Sequence, residues 1–180
     1  AGFTSGATSY RNCINAGNVT GASYLSNSDG AASGTVAGFD ANASASFTDC
    51  INLGNISANS ASDGNAYSTK KVYGFSSIDQ YNSPTFKNCI DAGSANCPFT
   101  GVVGNTTGTY DKSYYNSDSY GSSYNADYAK TSDELCQLTT ENLPGWNFAT
   151  SRYPLPNIVK SETTEGVSSE IWQEVEAKAI

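Results

Sequence analysis

The 180-residue sequence predicts an all-β protein: a short right-handed parallel β-helix, or solenoid, of about three to four coils with a C-terminal cap and a terminal helix. Three observations carry that prediction. An octet recurs as Tyr10-Arg11-Asn12-Cys13-Ile14-Asn15-Ala16-Gly17, Phe47-Thr48-Asp49-Cys50-Ile51-Asn52-Leu53-Gly54 and Phe86-Lys87-Asn88-Cys89-Ile90-Asp91-Ala92-Gly93, with Cys to Cys separations of 37 and 39 residues. Repetition at a period between about 20 and 50 residues is the mark of stacked or arrayed units, each of which buries its apolar surface on its neighbours. A second element recurs between octets, as Val36-Ala37-Gly38-Phe39, Val72-Tyr73-Gly74-Phe75 and, more loosely, Val102-Val103-Gly104. A third follows the octet twice, as Asn18-Val19-Thr20-Gly21 and Asn55-Ile56-Ser57-Ala58.

Within the octet, an aromatic residue at position 1, Cys at 4 and Ile at 5 break helical spacing, and the closing Gly marks a turn. Three short strands per period, separated by Gly, Asn, Ser and Ala, describe one coil of a three-sided parallel solenoid. The stretch from Asn12 to Gly21 resembles the GLUG-type repeats of large bacterial surface proteins, whose coils join a Gly-hydrophobic-x-Gly strand to an Asn-Cys-hydrophobic-Asn-x-Gly-x-Val-x-Gly strand. The Gly38 and Gly74 elements depart from it, since no Gly precedes Val36 or Val72. The resemblance spans about residues 1–130 and implies a solenoid in a surface or secreted protein; it says little of function.

Taken in order, the chain opens inside a repeat, Ala1-Gly2-Phe3 reading as the tail of a Val-x-Gly-Phe strand, and is expected to be part of a longer polypeptide. Residues 22–34 and 59–70 read as Ser/Asn/Gly loops at one corner of the period, either a binding face or tolerated surface insertions. Residues 99–116 read as a degenerate last coil, with Tyr114-Tyr115-Asn116 standing in for Cys-Ile-Asn. Six tyrosines then fall within residues 110–128. Of these, Tyr120, Tyr124 and Tyr128, four residues apart and flanked by Ser, Asn and Gly, are the candidate glycan contacts, because an aromatic ring stacks on a sugar face and its hydroxyl adds a hydrogen bond. The alternative is that they shield the open end of the sheets.

Residues 131–160 form the capping segment: Asp133-Glu134-Leu135-Cys136-Gln137-Leu138 as a helical turn, Leu143-Pro144-Gly145-Trp146-Asn147-Phe148 as an apolar strand with Trp146 in the core, and Tyr153-Pro154-Leu155-Pro156 closing it. That ending also resembles the segment that terminates GLUG-type arrays. Residues 161–180 are a polar linker and a helix on which Ile171, Val175 and Ala179 share a face. This helix is a stalk toward a further domain, an element docked on this one, or sequence extraneous to the fold.

Cys13, Cys50 and Cys89 form the structural ladder. In adjacent rungs their Cβ atoms stand about 4.8 Å apart, too far for a disulfide, so they are expected inside as free thiols. Cys97 and Cys136 lie outside the ladder and are the pair a bridge from the solenoid to its end segment would use.

Composition narrows the chemistry. Charged residues are 14% of the chain, the net charge is −8, and Arg occurs only at positions 11 and 152, so no basic stripe could neutralise phosphates and nucleic acid is not an expected partner. No stretch reaches the about 20 apolar residues of a membrane-spanning helix. With no His, the His-dependent nucleophilic triads and His-based zinc sites are excluded, as is the His-Glu-x-x-His of the metalloproteases that GLUG-type repeats accompany. No cofactor, metal or catalytic residue is expected. A calcium-like spacing from Asn116 through Asp118 to Asp127 places Tyr120 at a ligand position and reads as a Gly turn, and four Asn-x-Ser/Thr sequences, at Asn18, Asn42, Asn55 and Asn105, are what a Ser/Asn-rich chain contains by chance. The expected function is a noncatalytic extracellular adhesin or spacer whose partner is a host or microbial glycan or a surface protein. The alternative is a carbohydrate-active β-helix enzyme using Asp49 and Asp91 with Lys87.

Overall fold

The computed structural model describes residues 9–25, 32–39, 45–62, 68–76, 84–100, 109–121, 124–157 and 169–180. Each repeat lays down short strands that pair in parallel with the same strands of the next repeat. The first tier holds β1 (Ser9–Arg11), β2 (Ile14–Asn15), β3 (Val19–Leu25) and β4 (Ala32–Ala37), and the second β5 (Ser46–Thr48), β6 (Ile51–Asn52), β7 (Ile56–Ser62) and β8 (Ser68–Tyr73). The third keeps β9 (Thr85–Lys87) and β10 (Ile90–Asp91), and the fourth β11 (Thr109–Asp111) and β12 (Tyr114–Asn116). The sheets run β1-β5-β9-β11 and β2-β6-β10-β12, with β3-β7 and β4-β8 as separate pairs. One period makes one tier: Tyr10 lies beside Phe47, Phe47 beside Phe86, and Phe86 beside Tyr110.

Asn and Asp mark the corner that makes this possible. Between the first and second strand of each tier the chain turns through a left-handed residue, Asn12, Asp49, Asn88 and Lys112, at φ of 50°, 54°, 52° and 47°. Asn and Asp tolerate that conformation better than other side chains, which accounts for three of the four. The corners hydrogen-bond to one another, with Asn12, Asp49 and Asn88 N–H donating to the carbonyls of Thr48, Lys87 and Asp111 at 3.1, 3.0 and 2.9 Å.

The interior consists of columns. Tyr10, Phe47, Phe86 and Tyr110 stack at centroid distances of 5.0, 5.1 and 5.0 Å, and Phe39, Phe75 and Phe99 form a second stack at 4.6 and 5.1 Å whose rings meet the first at steep angles. Offset stacks and edge-to-face pairs each add about 0.5–1.5 kcal/mol beyond burial. Beside them run the thiols of Cys13, Cys50 and Cys89, each donating to the carbonyl two residues back. Ser113 repeats that bond at the fourth tier. Ser113 therefore occupies the Cys position and Tyr114 pairs with Ile90, a one-residue correction to the expected alignment of Tyr114-Tyr115-Asn116 on Cys-Ile-Asn.

The structure departs from the sequence reading or goes beyond it in three other places. Residues 22–34 and 59–70 were expected as loops, yet β3, β4, β7 and β8 extend into them, each strand pairing in parallel with its copy one tier away. The third tier cuts this excursion short. It crosses directly from Ser94 to Cys97, and Pro98-Phe99 takes the place of Gly-Phe, with Phe75 N–H donating to Phe99 O at 3.0 Å. The looser copy at Val102-Val103-Gly104 lies outside the described residues. The third place concerns the octet isoleucines, whose direction the sequence left open. Ile14, Ile51 and Ile90 do not enter the aromatic interior but face a second cluster, built with the end segment, while Asn15, Asn52 and Asp91 turn inward.

That end segment begins with α1 (Ser117–Tyr120), β13 (Ala129–Lys130), which adds to β12, and α2 (Ser132–Cys136), whose capping box joins Thr131 and Glu134. The expected apolar strand shrinks to β14 (Trp146–Asn147), antiparallel to β15 (Leu155–Pro156). Leu135, Leu143, Trp146 and Leu155 pack with Ile51 and Ile90, so the segment covers the outer face of the second sheet. Helix α3 (Ser169–Lys178) docks there through Trp172, Val175 and Ala179. An Arg152–Glu176 ion pair at 2.9 Å and the Tyr153 N–H to Ala179 O bond at 2.6 Å fasten it. Of the three readings of this helix, docking is the one found. No helix among the described residues is long and apolar enough to cross a membrane.

Candidate functional site

The inward polar column is the most unusual feature of the interior. Asn15 donates through Nδ2 to Asn52 Oδ1 at 2.8 Å, and Asn52 donates in the same way to Asp91 Oδ1 at 2.9 Å. An amide ladder of this kind passes one hydrogen bond per tier and must end on a group that only accepts. Asp91 is that group. Its carboxylate also accepts from Phe99 N–H at 2.7 Å and from the Tyr120 hydroxyl at 3.0 Å. The residue is wholly buried, and burial pushes its carboxyl up to about 6, against the downward pull of those three donors. Gly74 makes the room: a Cβ there would run into the Asp91 carboxylate, which explains the Gly of the Val-x-Gly-Phe element.

The tyrosine-rich stretch folds over this end of the stack. Asn116 caps α1 by accepting from Asp118 N–H, and the single turn delivers Tyr120 onto Asp91. Tyr120 is 9% exposed, which corrects the expectation of an approachable ring. Its hydroxyl lies well above the usual tyrosine range, because burial and then the Asp91 charge disfavour the phenolate. The half-buried Tyr124 donates to Asn96 O at 2.7 Å and lies 3.6 Å from Cys97 Sγ; burial first, then the thiol, push it up to about 12. Half-buried Tyr128 sets its ring 5.5 Å from that of Tyr110, the last member of the first stack. The structure therefore brings Tyr120, Tyr124 and Tyr128 together against the aromatic interior, with two of their three hydroxyls bonded to the third tier.

All five cysteines are free. Cys50 and Cys89 are fully buried and Cys13 partly so, and the thiols of Cys13 and Cys50 are pushed above the ordinary range, that of Cys13 first by its hydrogen bond to Cys50 and then by burial. Cys97 and Cys136, the pair that a bridge to the end segment would use, are both free thiols. Cys97 sits beneath Tyr124, whereas Cys136 packs against the cluster on the outer face of the second sheet.

The carboxylates proposed for catalysis do not converge. Asp91 is sealed inside, Asp49 Oδ1 accepts from Trp146 Nε1 at 3.1 Å and from Asn88 Nδ2 at 3.0 Å, and Lys87 is exposed on the first sheet. The calcium-like spacing is also taken apart by its bonds. Asp118 accepts from Ser132 N–H at 2.8 Å, which holds its carboxyl below the usual range, and Tyr120 points inward. Among the described residues no group of three or more His, Cys, Asp or Glu side chains is placed to hold a metal ion.

The sequence reading found the tyrosines but missed their anchors, Asp91, Asn96 and Cys97. The signal was present in one place: Asp91 breaks the Asn15-Asn52 series at the tier where the ladder must stop accepting and donating in turn. Compared with protein-family models, curated proteins and solved structures, the chain matches none.

Proposed function

We propose that this chain is a noncatalytic segment of a bacterial surface or secreted protein, a right-handed parallel β-solenoid built of GLUG-type repeats that serves adhesion or spacing outside the cell. The observation that carries the reading is where the polar groups go. The carboxylates of the octets are spent inside or at corners, Asp91 on three donors and Asp49 on two. Solvent meets a regular strand face bearing Ser9, Arg11, Thr85, Lys87, Thr109 and Asp111. Stacked tiers joined by in-register backbone bonds suit a spacer, since each unit leans only on its neighbours and tiers can be added without altering the rest.

The test is a panel of polysaccharides assayed for reducing ends and for lyase absorbance, run beside a glycan array. The expected result is no turnover. Turnover abolished by a single Asp→Asn change, at Asp49 or elsewhere, would replace this reading with a carbohydrate-active enzyme.

A further inference from the structure

Away from the tyrosines, α2 and the turn between β14 and β15 enclose an open groove of about 800 Å³. Ligand clefts commonly fall between about 300 and 1,000 Å³. Three properties set this one apart from an accidental fold of the surface. Its base is fixed, because the Tyr153 hydroxyl donates to Ser132 Oγ at 3.1 Å and Asn116 Nδ2 reaches both, at 3.2 and 3.1 Å. Phe148 lines it with a ring that is neither buried nor free, packed on one side against the second cluster. The polar side chains around it, Asp133, Gln137, Thr150 and Ser151, are exposed, and among the described residues they have no hydrogen-bond partner. Neighbouring polar groups of the same segment are occupied: Thr131 with Glu134, Thr139 with Asn142, Asn147 with Asn157. Ser151 is moreover held at φ 62°, a left-handed conformation that costs a residue with a Cβ and that recurs where a turn clamps a ligand.

We infer that this groove is a binding site for a neutral saccharide. The inference rests on the adhesive reading above and moves its contact surface from the tyrosines to this groove. An aromatic ring offers a face for the apolar side of a pyranose, a carboxylate accepts from two neighbouring hydroxyls at once, and an amide with two hydroxyls supplies both donors and acceptors. Among the described residues the one charged side chain of the lining is Asp133, and the nearby Arg152 is tied to Glu176. An anionic sugar or a phosphate would meet a like charge with no cation to offset it, so the ligand is neutral.

Cys136 lines the same groove and is half-buried, which makes it a reporter. The intact chain is titrated with glucose, galactose, mannose, N-acetylglucosamine, cellobiose and lactose, with glucuronate as the anionic comparison. Alkylation of each cysteine by iodoacetamide is mapped by peptide mass spectrometry. At least one neutral sugar is expected to slow alkylation of Cys136 several-fold while leaving Cys97 unchanged. Asp133→Asn and Phe148→Ala should each weaken that protection about tenfold in Kd, the loss of one good contact. Among the described residues Asp133 makes no hydrogen bond or ion pair, so Asp133→Asn keeps the test decisive even if Phe148→Ala unfolds the segment; the protection is read as a ratio within each variant, because Asp133 also raises the Cys136 thiol. Protection by none of the neutral sugars, equal protection by glucuronate, or protection that survives Asp133→Asn would overturn the inference. A glycan array that stays positive in the groove variants removes the groove and leaves the adhesive reading standing. A blank array with no protection of Cys136 removes both and leaves the spacer.

Discussion

Replacing Asp91 by Asn tests whether the polar column ends on a carboxylate for the reason given. In the folded protein the Asp91 carboxyl titrates at about 6, against an ordinary value of 3.8, with burial as the main cause. Between those values the folded chain holds a proton that the unfolded chain has released. Stability from this group is therefore fully present below about pH 4 and is lost as pH rises through about 6, a loss of about 3 kcal/mol at 1.36 kcal/mol per unit. Asn carries no charge and escapes that loss. Its amide has a different fault: Oδ1 can keep the bonds from Asn52 and Tyr120, but the NH₂ group then confronts the Phe99 N–H, where the carboxylate accepted at 2.7 Å. Two donors facing each other in the interior cost about 1–3 kcal/mol.

The variant should thus be less stable than the parent at pH 4 by about 1–3 kcal/mol, and the gap should close or reverse by pH 7. Urea unfolding of both proteins at half-unit steps from pH 4 to 7.5 measures it. Asp118 and Glu134, whose carboxyls are held low by hydrogen bonds at turn and cap, contribute in the opposite sense, losing stability as pH falls. They are common to both proteins and cancel in the difference. Parallel curves for parent and variant, or a gap that widens with rising pH, would refute the account of Asp91.

Phe47→Ala removes a fully buried ring that touches Tyr10, Phe39, Phe75 and Phe86, and should cost about 3–5 kcal/mol in the same assay. Gly74→Ala forces a methyl group into the Asp91 carboxylate and should cost about 3 kcal/mol, the upper end for overpacking, with a smaller effect in an Asp91→Ala background, where the atoms it meets are gone. A thiol titration should find Cys50 and Cys89 silent in the native protein and five reactive thiols in denaturant without reductant; fewer than five would mean a disulfide that the fold does not contain.

The sequence alone determined that the repeats stack. A period written three times in aromatic, Cys and Gly calls for identical positions to lie above one another, and the structure decided that each period is one tier and not two, with the columns Tyr10-Phe47-Phe86 and Cys13-Cys50-Cys89 running through successive tiers. The left-handed corners at Asn12, Asp49 and Asn88 were seen only in the structure, where Lys112 takes the same conformation without being Asn or Asp. Which way Ile and its neighbour point was not legible. A strand of two residues has no alternation to read, and Ile14-Asn15 would ordinarily be placed with Ile inside. The tertiary structure decided the reverse, for a physical reason. The amides satisfy one another from tier to tier down to Asp91, so an inward polar column costs little, while the end segment supplies the apolar surface that outward Ile51 and Ile90 require. The groove lay beyond sequence reading on the same ground: Asp133 and Phe148 come to line one groove only once Leu135, Leu143 and Leu155 have folded their segment against those isoleucines.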